Sequence, residues 1–330
     1  MDRGTIEAIA RGFAGKRVVV LGDVMVDEFL RGTVDRISPE APVPVLQFCE
    51  HTFVLGGAAN VAHNVVALGG VPALVGVVGD DDAGSRLGEQ LAAAGLAADD
   101  VVGVAGRRTT LKTRVLAHTQ HVVRIDREEL TPISGRVEKD VISRAQALIA
   151  DADALLVSDY NKGTVTGAVA REAISAARKA GVPVVADTKH HRVKAFSRAT
   201  LMTPNVREVE ELSRVKVTND SDLATAARTL IDEIDLEALL VTRAEEGMSL
   251  FGRDGDRVDV GAVATEVHDI TGAGDTVAAA LTLALAGGAD LEGAARFANL
   301  AAAVVVRKLG TATASVDEVA ALTSASGRDC

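Results

Sequence analysis

The octapeptide "KRVVVLGD", Lys16–Asp23, sets the architecture. Between its basic start and acidic end it is apolar without alternation. A strand with one face in water alternates polar and apolar side chains, whereas a continuous apolar run needs cover on both faces. "PALVGVVGD", "ALLVSDY", "PVVADT", "ATLMTPN" and "EALLVTR" repeat this form along the chain. Segments of helical period lie between such runs, among them "AANVAHNVVALGG", "AGSRLGEQLAAAG" and "GAVAREAISAARKAG". Strands of this kind separated by helices imply an α/β protein with a mainly parallel sheet covered on both faces.

Two segments depart from the rhythm, about 26–54 and 107–128. Both alternate polar and apolar residues, as half-exposed strands do, and are expected to form a small second β sheet inserted as a lid. Within the first, "DRISPEAPVPVLQF" carries three of the chain's seven prolines. Proline lacks the N–H and fixes φ, so this piece is neither helix nor central strand; it is expected to cross between two lid strands. The chain is otherwise expected to be a single domain, 1–330.

Composition narrows the function. A chain of 330 residues that is 48% hydrophobic can build a large core, and with 2% aromatics that core must be Ala, Val, Leu and Ile. A net charge of −11 argues against a nucleic-acid binder, which needs a basic footprint. It leaves room for anionic small substrates held by a few local cations. Cys49 and Cys330 lack metal-ligand spacing and read as free thiols in a reducing compartment. His63, His118, His121, His190 and His191 likewise have no ligand spacing. The start, "MDRGTIEAIARGFAGKR", has no continuous apolar segment of the signal-peptide kind. The uncharged stretch from Thr52 to Gly79 is broken by glycine pairs, asparagines, a histidine and a proline, so it suits a core rather than a membrane. The expectation is a cytoplasmic protein with no membrane partner.

Ligands of parallel sheets bind beyond the carboxyl ends of the strands. Here those ends carry Asp23 and Asp27, Ser158 and Asp159, Asp187 and Lys189, Asn205 and Glu208, and Thr242. One such residue is ordinarily a cap or turn former. Their recurrence at successive strands builds a polar rim. The sharpest motif is "HDITGAGDTVAAALTLALAGG", His268–Gly288, in which Gly272, Ala273 and Gly274 lead into a long helix near Asp275. Free N–H groups at a helix start make an anion site, and glycines let a phosphate approach the backbone. Asp275 is then an N-cap or a general base beside the anion hole; phosphoryl transfer needs both kinds of group. The loop lacks the GK[ST] ending of a Walker A loop and the spacing of a dinucleotide fingerprint.

"LGGAANVAHN", Leu55–Asn64, places Gly56 and Gly57 before a helix bearing Asn60 and Asn64. These amides either satisfy buried backbone groups or bind sugar hydroxyls, since Asn donates and accepts at once. Lys112, Arg114 and Arg124 form a basic cluster on the second inserted segment, either a substrate-phosphate site or a charged edge strand.

These motifs together resemble the PfkB (ribokinase-like) carbohydrate kinases over essentially the whole chain. "LGGAANVAHNVVALGG" and "HDITGAGDTVAAAL" are similar to the family's two signatures, and "TPNVREVEEL" to its NxxE motif. Within the family, "GDVMVDEFLRGTVDRISPEAPVPVL", "TRVLAHTQHVVRIDRE", "LLVSDYNKG", "LLVTRAEEGMSLF" and "VVVRKLGTATAS" resemble the subfamily acting on D-glycero-β-D-manno-heptose 7-phosphate. The resemblance implies a three-layer α/β/α sandwich with a small β lid, and ATP-dependent phosphorylation of the anomeric hydroxyl to the 1,7-bisphosphate. Another PfkB kinase, acting on ribose, a nucleoside or a fructose phosphate, is the alternative. More distant rivals are a catalytically silent nucleotide binder and a dehydrogenase.

The resemblance also implies roles. Asp275 is the base, with Gly272, Ala273 and Gly274 lining the anion hole. Asp27, Gly56, Gly57 and Asn60 bind sugar hydroxyls, and Arg114, Arg124 and Lys112 hold the sugar's distal phosphate. Asn205 and Glu208 organise Mg²⁺ and the ATP phosphates through water, and Thr242, Gly247 and Asn299 lie along the nucleotide. Asp269 and Thr271, with Gly310 and Ser315 as further partners, match a K⁺ site used by some members. The proline segment is expected near the sugar, a homodimer is expected through the lid, and no adenylyltransferase domain is expected. One departure stands out: "DTKHH", Asp187–His191, replaces the usual "DPKG" of the subfamily.

Overall fold

The structure, a computed structural model, describes residues 1–118, 120–189, 193–263 and 266–325. Its strands are β1 (Arg17–Gly22), β2 (Val24–Ile37), β3 (Pro44–Gly57), β4 (Val71–Gly79), β5 (Val101–Val104), β6 (Thr110–Ala117), β7 (Gln120–Arg127), β8 (Ala154–Asp159), β9 (Val184–Thr188), β10 (Leu201–Met202), β11 (Ala238–Thr242), β12 (Met248–Gly252) and β13 (Arg257–Val260). The helices are α1 (Arg3–Arg11), α2 (Ala58–Ala67), α3 (Asp82–Ala93), α4 (Gly135–Ile149), α5 (Gly167–Ala180), α6 (Val206–Ser213), α7 (Asp220–Ile234), α8 (Ala273–Ala286), α9 (Leu291–Val305) and α10 (Val316–Ala325).

Among the described residues, nine strands form one sheet in the order β13-β12-β11-β10-β9-β8-β1-β4-β5. From β11 to β5 every neighbour is parallel, while β12 and β13 add an antiparallel edge. The octapeptide's strand shows why its run is continuous. Val18 and Val20 enter the core shared with α1, α2, α8 and α9, and Val19 and Leu21 enter the core shared with α4, α5 and α7. Successive side chains point to opposite faces, and both faces are covered. Helix α8 is buried almost all round, against α2 and α9, which accounts for its Ala-rich composition.

The four-stranded lid has the order β3-β2-β6-β7. β2 and β3 form a long antiparallel hairpin from Val24↔Gly57 to Ile37↔Pro44. β6 then joins β2 in parallel, starting at Met25↔Thr110, and β7 returns antiparallel. The prolines lie at the hairpin's tip, where the Ser38 amide donates to the Val43 carbonyl at 2.8 Å. At about 3.3 Å per residue the tip is roughly 30 Å along the ribbon from Asp27. Pro39, Pro42 and Pro44 are exposed there. "ATLMTPN" gives a strand of only two residues, β10, because the Asn205 cap of α6 follows at once. No helix of the described residues is long and apolar enough to cross a membrane. Cys49 is an exposed free thiol; Cys330, His190 and His191 lie outside the described residues.

Candidate active site

Helix α8 packs against β1, β8 and β9, and its start lies by the carboxyl end of β8, whose following residue Tyr160 reaches Asp275. Gly272 precedes that helix with φ 81°, a left-handed conformation. A Cβ there would stand 3.0 Å from the Asn60 Nδ2 and 3.3 Å from the Thr311 Cγ2, so both backbone and packing require glycine. The Ala273 amide donates to the Ile270 carbonyl and that of Thr276 to Gly272. Between them, the amides of Gly274 and Asp275 head the helix, where N–H groups lack intrahelical acceptors. A Cβ on Gly274 meets nothing within 4 Å, so the helix start opens on space an anion can enter.

Asp275 is buried. Its Oδ2 accepts from the Asn60 Nδ2 at 2.7 Å and its Oδ1 from the Tyr160 hydroxyl at 2.5 Å. Burial pushes its carboxyl up to about 6. The bonds from Tyr160 and Asn60 oppose that rise, and the charges of Asp187 and Asp27 add to it. Asn60 is itself oriented. The Thr276 hydroxyl donates to the Asn64 Oδ1 at 2.8 Å, and the Asn64 Nδ2 donates to the Asn60 main-chain carbonyl at 2.9 Å and to the Asn60 Oδ1 at 3.4 Å. Thr276 and Asp275 are neighbours on α8, so the relay closes a ring between α2 and α8. The sugar-binding expectation for Asn60 therefore meets a prior engagement of its amide with Asp275.

The lid contributes a second set. The Arg114 Nη1 is 2.5 Å from the Asp27 Oδ1, with the side chains only 11% and 6% exposed. A Cβ on Gly56 would stand 2.9 Å from the Asp27 Oδ2, so that glycine makes room for the carboxylate. Lys112 lies beside Arg114 with its Nζ 5.2 Å from the centre of the Tyr160 ring. Burial holds Lys112 below its usual range, against the pull of Asp27. Arg124 is the cross-strand partner of Arg114, but it is 57% exposed and forked onto Asp126 at 2.9 and 3.1 Å. Of the three basic residues, Lys112 and Arg114 are thus the two turned into the site.

Lys189 bridges two carboxylates, with Nζ 3.2 Å from Asp187 and 3.0 Å from Glu208. Burial opposes its charge, but those partners carry Lys189 well above its ordinary range. Glu208 also accepts from the Asn205 amide, and Asn205 caps the Glu208 amide, a capping box that fixes the start of α6. Thr242 bridges to Asn205, and Gly247 forms the turn between β11 and β12. Asn299 is buried and donates to the Gly261 carbonyl at 2.9 Å. Asp269 accepts from the amides of Thr271 at 2.9 Å and Gly310 at 3.0 Å. Burial would raise its carboxyl, but the Thr271 and Gly310 bonds hold it below the usual range. Ser315 does not join them: its hydroxyl and amide both engage Glu318 at the start of α10, a local cap.

Two roles went unread in the sequence. Asp23 accepts the amides of Tyr160, Lys162 and Thr164, each at 2.9 Å, and so pins the loop after β8. That loop carries Tyr160 to Asp275. The only signal for either was position at a strand end. Asp159 accepts from the Thr188 hydroxyl at 2.9 Å and is pushed to about 7 by burial and then by the Asp23 charge. Thr188 is one of the departing residues of "DTKHH".

A helix start open to an anion, beside a buried carboxylate aimed by two donors, can move an anionic group onto a hydroxyl. Comparison with known proteins specifies the class. A model of the pfkB family of carbohydrate kinases matches residues 16–318, and the chain belongs to that family. It is 43% identical over 329 residues to the Bifunctional protein HldE of Trichlorobacter lovleyi, covering 100% of this chain and 67% of that one. It is 46% identical over 318 residues to the Bifunctional protein HldE of Caulobacter vibrioides, covering 96% and 65%. The chain thus spans about two thirds of the length of these relatives. Its fold is similar to Arabidopsis thaliana ribokinase complexed with ribose and ATP (TM-score 0.76, 22% identity, 94% and 99% covered). It is also similar to phosphofructokinase-2 from Escherichia coli in complex with potassium (TM-score 0.77, 22% identity, 96% and 100% covered).

Proposed function

We propose that this chain transfers the γ-phosphoryl group of ATP to the anomeric hydroxyl of D-glycero-β-D-manno-heptose 7-phosphate, giving the 1,7-bisphosphate. The observation that carries the reaction is Asp275, buried at the glycine-led head of α8 with both carboxylate oxygens engaged. The sugar follows from the kinship to the HldE proteins and from the lid segments shared with heptose kinases. Asp275 accepts the hydroxyl proton, and the amides at the head of α8 with Gly272, Ala273 and Gly274 stabilise charge on the moving group. Asp27 sits beside Gly56 and Gly57 to receive sugar hydroxyls, while Asn60 holds the base. Arg114 and Lys112 meet the sugar's phosphate, and Arg124, turned to solvent on Asp126, joins them only by leaving that pair.

Asn205, Glu208, Thr242, Gly247 and Asn299 line the nucleotide side. Magnesium takes one or two carboxylates and otherwise phosphates and water. The Asp187 and Glu208 carboxylates, which already share the Lys189 cation, fit that requirement. When bound, Mg²⁺ neutralises charge on the nucleotide phosphates. Asp269, Thr271 and Gly310 would border a K⁺ ion, the Asp269 carboxylate being held ionised by the two amides. The protein works in the cytoplasm, where its nucleotide is supplied.

The partner is a second copy docked through the lid. All of β7 is exposed, including Val122, Val123 and Ile125, and Phe48 on β3 is exposed as well. A two-fold pairing of lids would cover these edges.

A panel of heptose 7-phosphate, ribose, adenosine and fructose 6-phosphate, read by coupled ADP release, tests the reading. Turnover of the heptose phosphate with little on the others is expected; turnover of ribose or adenosine alone would replace the assigned substrate.

A further inference from the structure

Tyr160 has no part in the reading above, yet its phenol stands 2.5 Å from the Oδ1 of Asp275. Its backbone is held in place by Asp23, which accepts the amides at positions 160, 162 and 164. Its ring lies 5.2 Å from the Nζ of Lys112, a lid residue. With Asn60 on Oδ2, the two donors define the plane of the carboxylate. A phenylalanine would fill nearly the same volume with no hydroxyl to satisfy, so packing alone does not explain a phenol here.

We propose that Tyr160 is a positioning residue for phosphoryl transfer: its hydroxyl holds the Asp275 carboxylate ionised and in a fixed plane, so that the sugar hydroxyl meets a free lone pair of the base. This rests on Asp275 being the base. A carboxylate oxygen accepts more than one hydrogen bond, so Tyr160 stays bonded while the substrate approaches. The sugar proton passes to Asp275 as the sugar oxygen bonds to the γ-phosphorus. The bond from that phosphorus to the bridging oxygen breaks, and ADP leaves with the electron pair. Tyr160 keeps its own proton throughout, because burial and the Asp275 charge both push the phenol well above its usual range. The contact of Lys112 with the ring links the lid to the orientation of the base.

Two measurements test this. In Tyr160→Phe the acidic limb of kcat/KM for the sugar phosphate moves up by about one pH unit, because the ionised carboxylate loses one hydrogen bond. Activity falls about fivefold at pH 6 and recovers most of that above pH 8. An equal loss at every pH, with the limb unmoved, overturns the proposal. The second measurement uses the wild-type protein, which has one tyrosine and no tryptophan. A phenol bonded to a carboxylate loses emission by excited-state proton transfer. Tyrosine emission therefore rises as pH falls through about 6, where Asp275 takes up its proton. The rise disappears in Asp275→Asn. Emission that stays flat from pH 8 to pH 5 overturns the contact. The titration needs no turnover, so it separates failure of the Tyr160 contact from failure of Asp275 as base.

Discussion

Asn60 on α2 and Asp275 on α8 are 215 positions apart in sequence, and their Nδ2 and Oδ2 atoms are 2.7 Å apart. One helix carries the carboxylate and the other aims it. The tie is buried, so its geometry is protected from water and each partner leaves an unpaired polar group if the other is removed.

Asp275→Asn removes the proton acceptor and keeps the shape. Turnover should fall by about 10²–10⁴, the usual contribution of a general base. ATP affinity, measured by titration calorimetry, should stay within about threefold. Wild-type-like turnover would take the role of base away from Asp275.

Acid should act on activity and stability in opposite directions. Asp275 works as a carboxylate, and burial has raised it to about 6 from 3.8. Turnover should fall as pH drops through 6. The folded state binds this proton more tightly than the unfolded chain does, so the residue's cost to stability is greatest at neutral pH and fades as pH falls from 6 toward 4. Asp275→Asn should be more stable than wild type by on the order of 3 kcal/mol at pH 7.5. Denaturant melts at pH 7.5 and pH 4.5 should show that advantage shrink.

Asn64→Ala cuts the relay from Thr276 to Asn60 without touching the base. Thr276 and Asn60 each lose a buried partner, at a cost of about 1–3 kcal/mol in urea unfolding. With Asn60 free to turn, kcat should fall about tenfold while KM for ATP holds. An unchanged kcat in a destabilised protein would confine the relay to packing.

The two lid arginines should separate. Arg114→Met leaves the Asp27 carboxylate unpaired in a nearly buried position, costing about 3–5 kcal/mol. Arg124→Ala breaks an exposed pair worth about 0–1 kcal/mol. If both hold the sugar's phosphate, both raise KM for the heptose phosphate by about tenfold, and only Arg114→Met lowers the melting point. A normal KM in Arg124→Ala would remove it from the phosphate site.

Val123→Glu puts a charge into the exposed apolar strip of β7. Light scattering should show a dimer in wild type and a monomer in the variant, since a buried unpaired carboxylate opposes association by several kcal/mol. A variant still dimeric would move the interface off the lid.

Much of this was legible along the chain. The run Val18–Leu21 announced a strand covered on both faces, and the two alternating segments announced the lid. The loop Gly272–Gly274 announced a helix start open to an anion. Other features were not legible. β12 and β13 were hidden because short strands on an antiparallel edge lack the continuous apolar pattern. Tyr160 stood at the end of an apolar strand run with nothing to mark it, and Arg124 looked equivalent to Arg114. The proline segment read as the piece crossing between two lid strands, and it is the turn of the β2–β3 hairpin.

By itself the sequence marked most strands of the parallel sheet, several of its helices and the two segments of the lid. Periodicity, turn chemistry and helix capping are local, written within a dozen residues of one another. Only the tertiary structure decided that β6 joins β2 in parallel, that Asn60 and Tyr160 converge on the oxygens of Asp275, and that Lys112 faces Tyr160 while Arg124 faces solvent. Those outcomes depend on which strand ends meet and on how much water burial removes around each charge, and both are set by contacts between residues far apart in the chain.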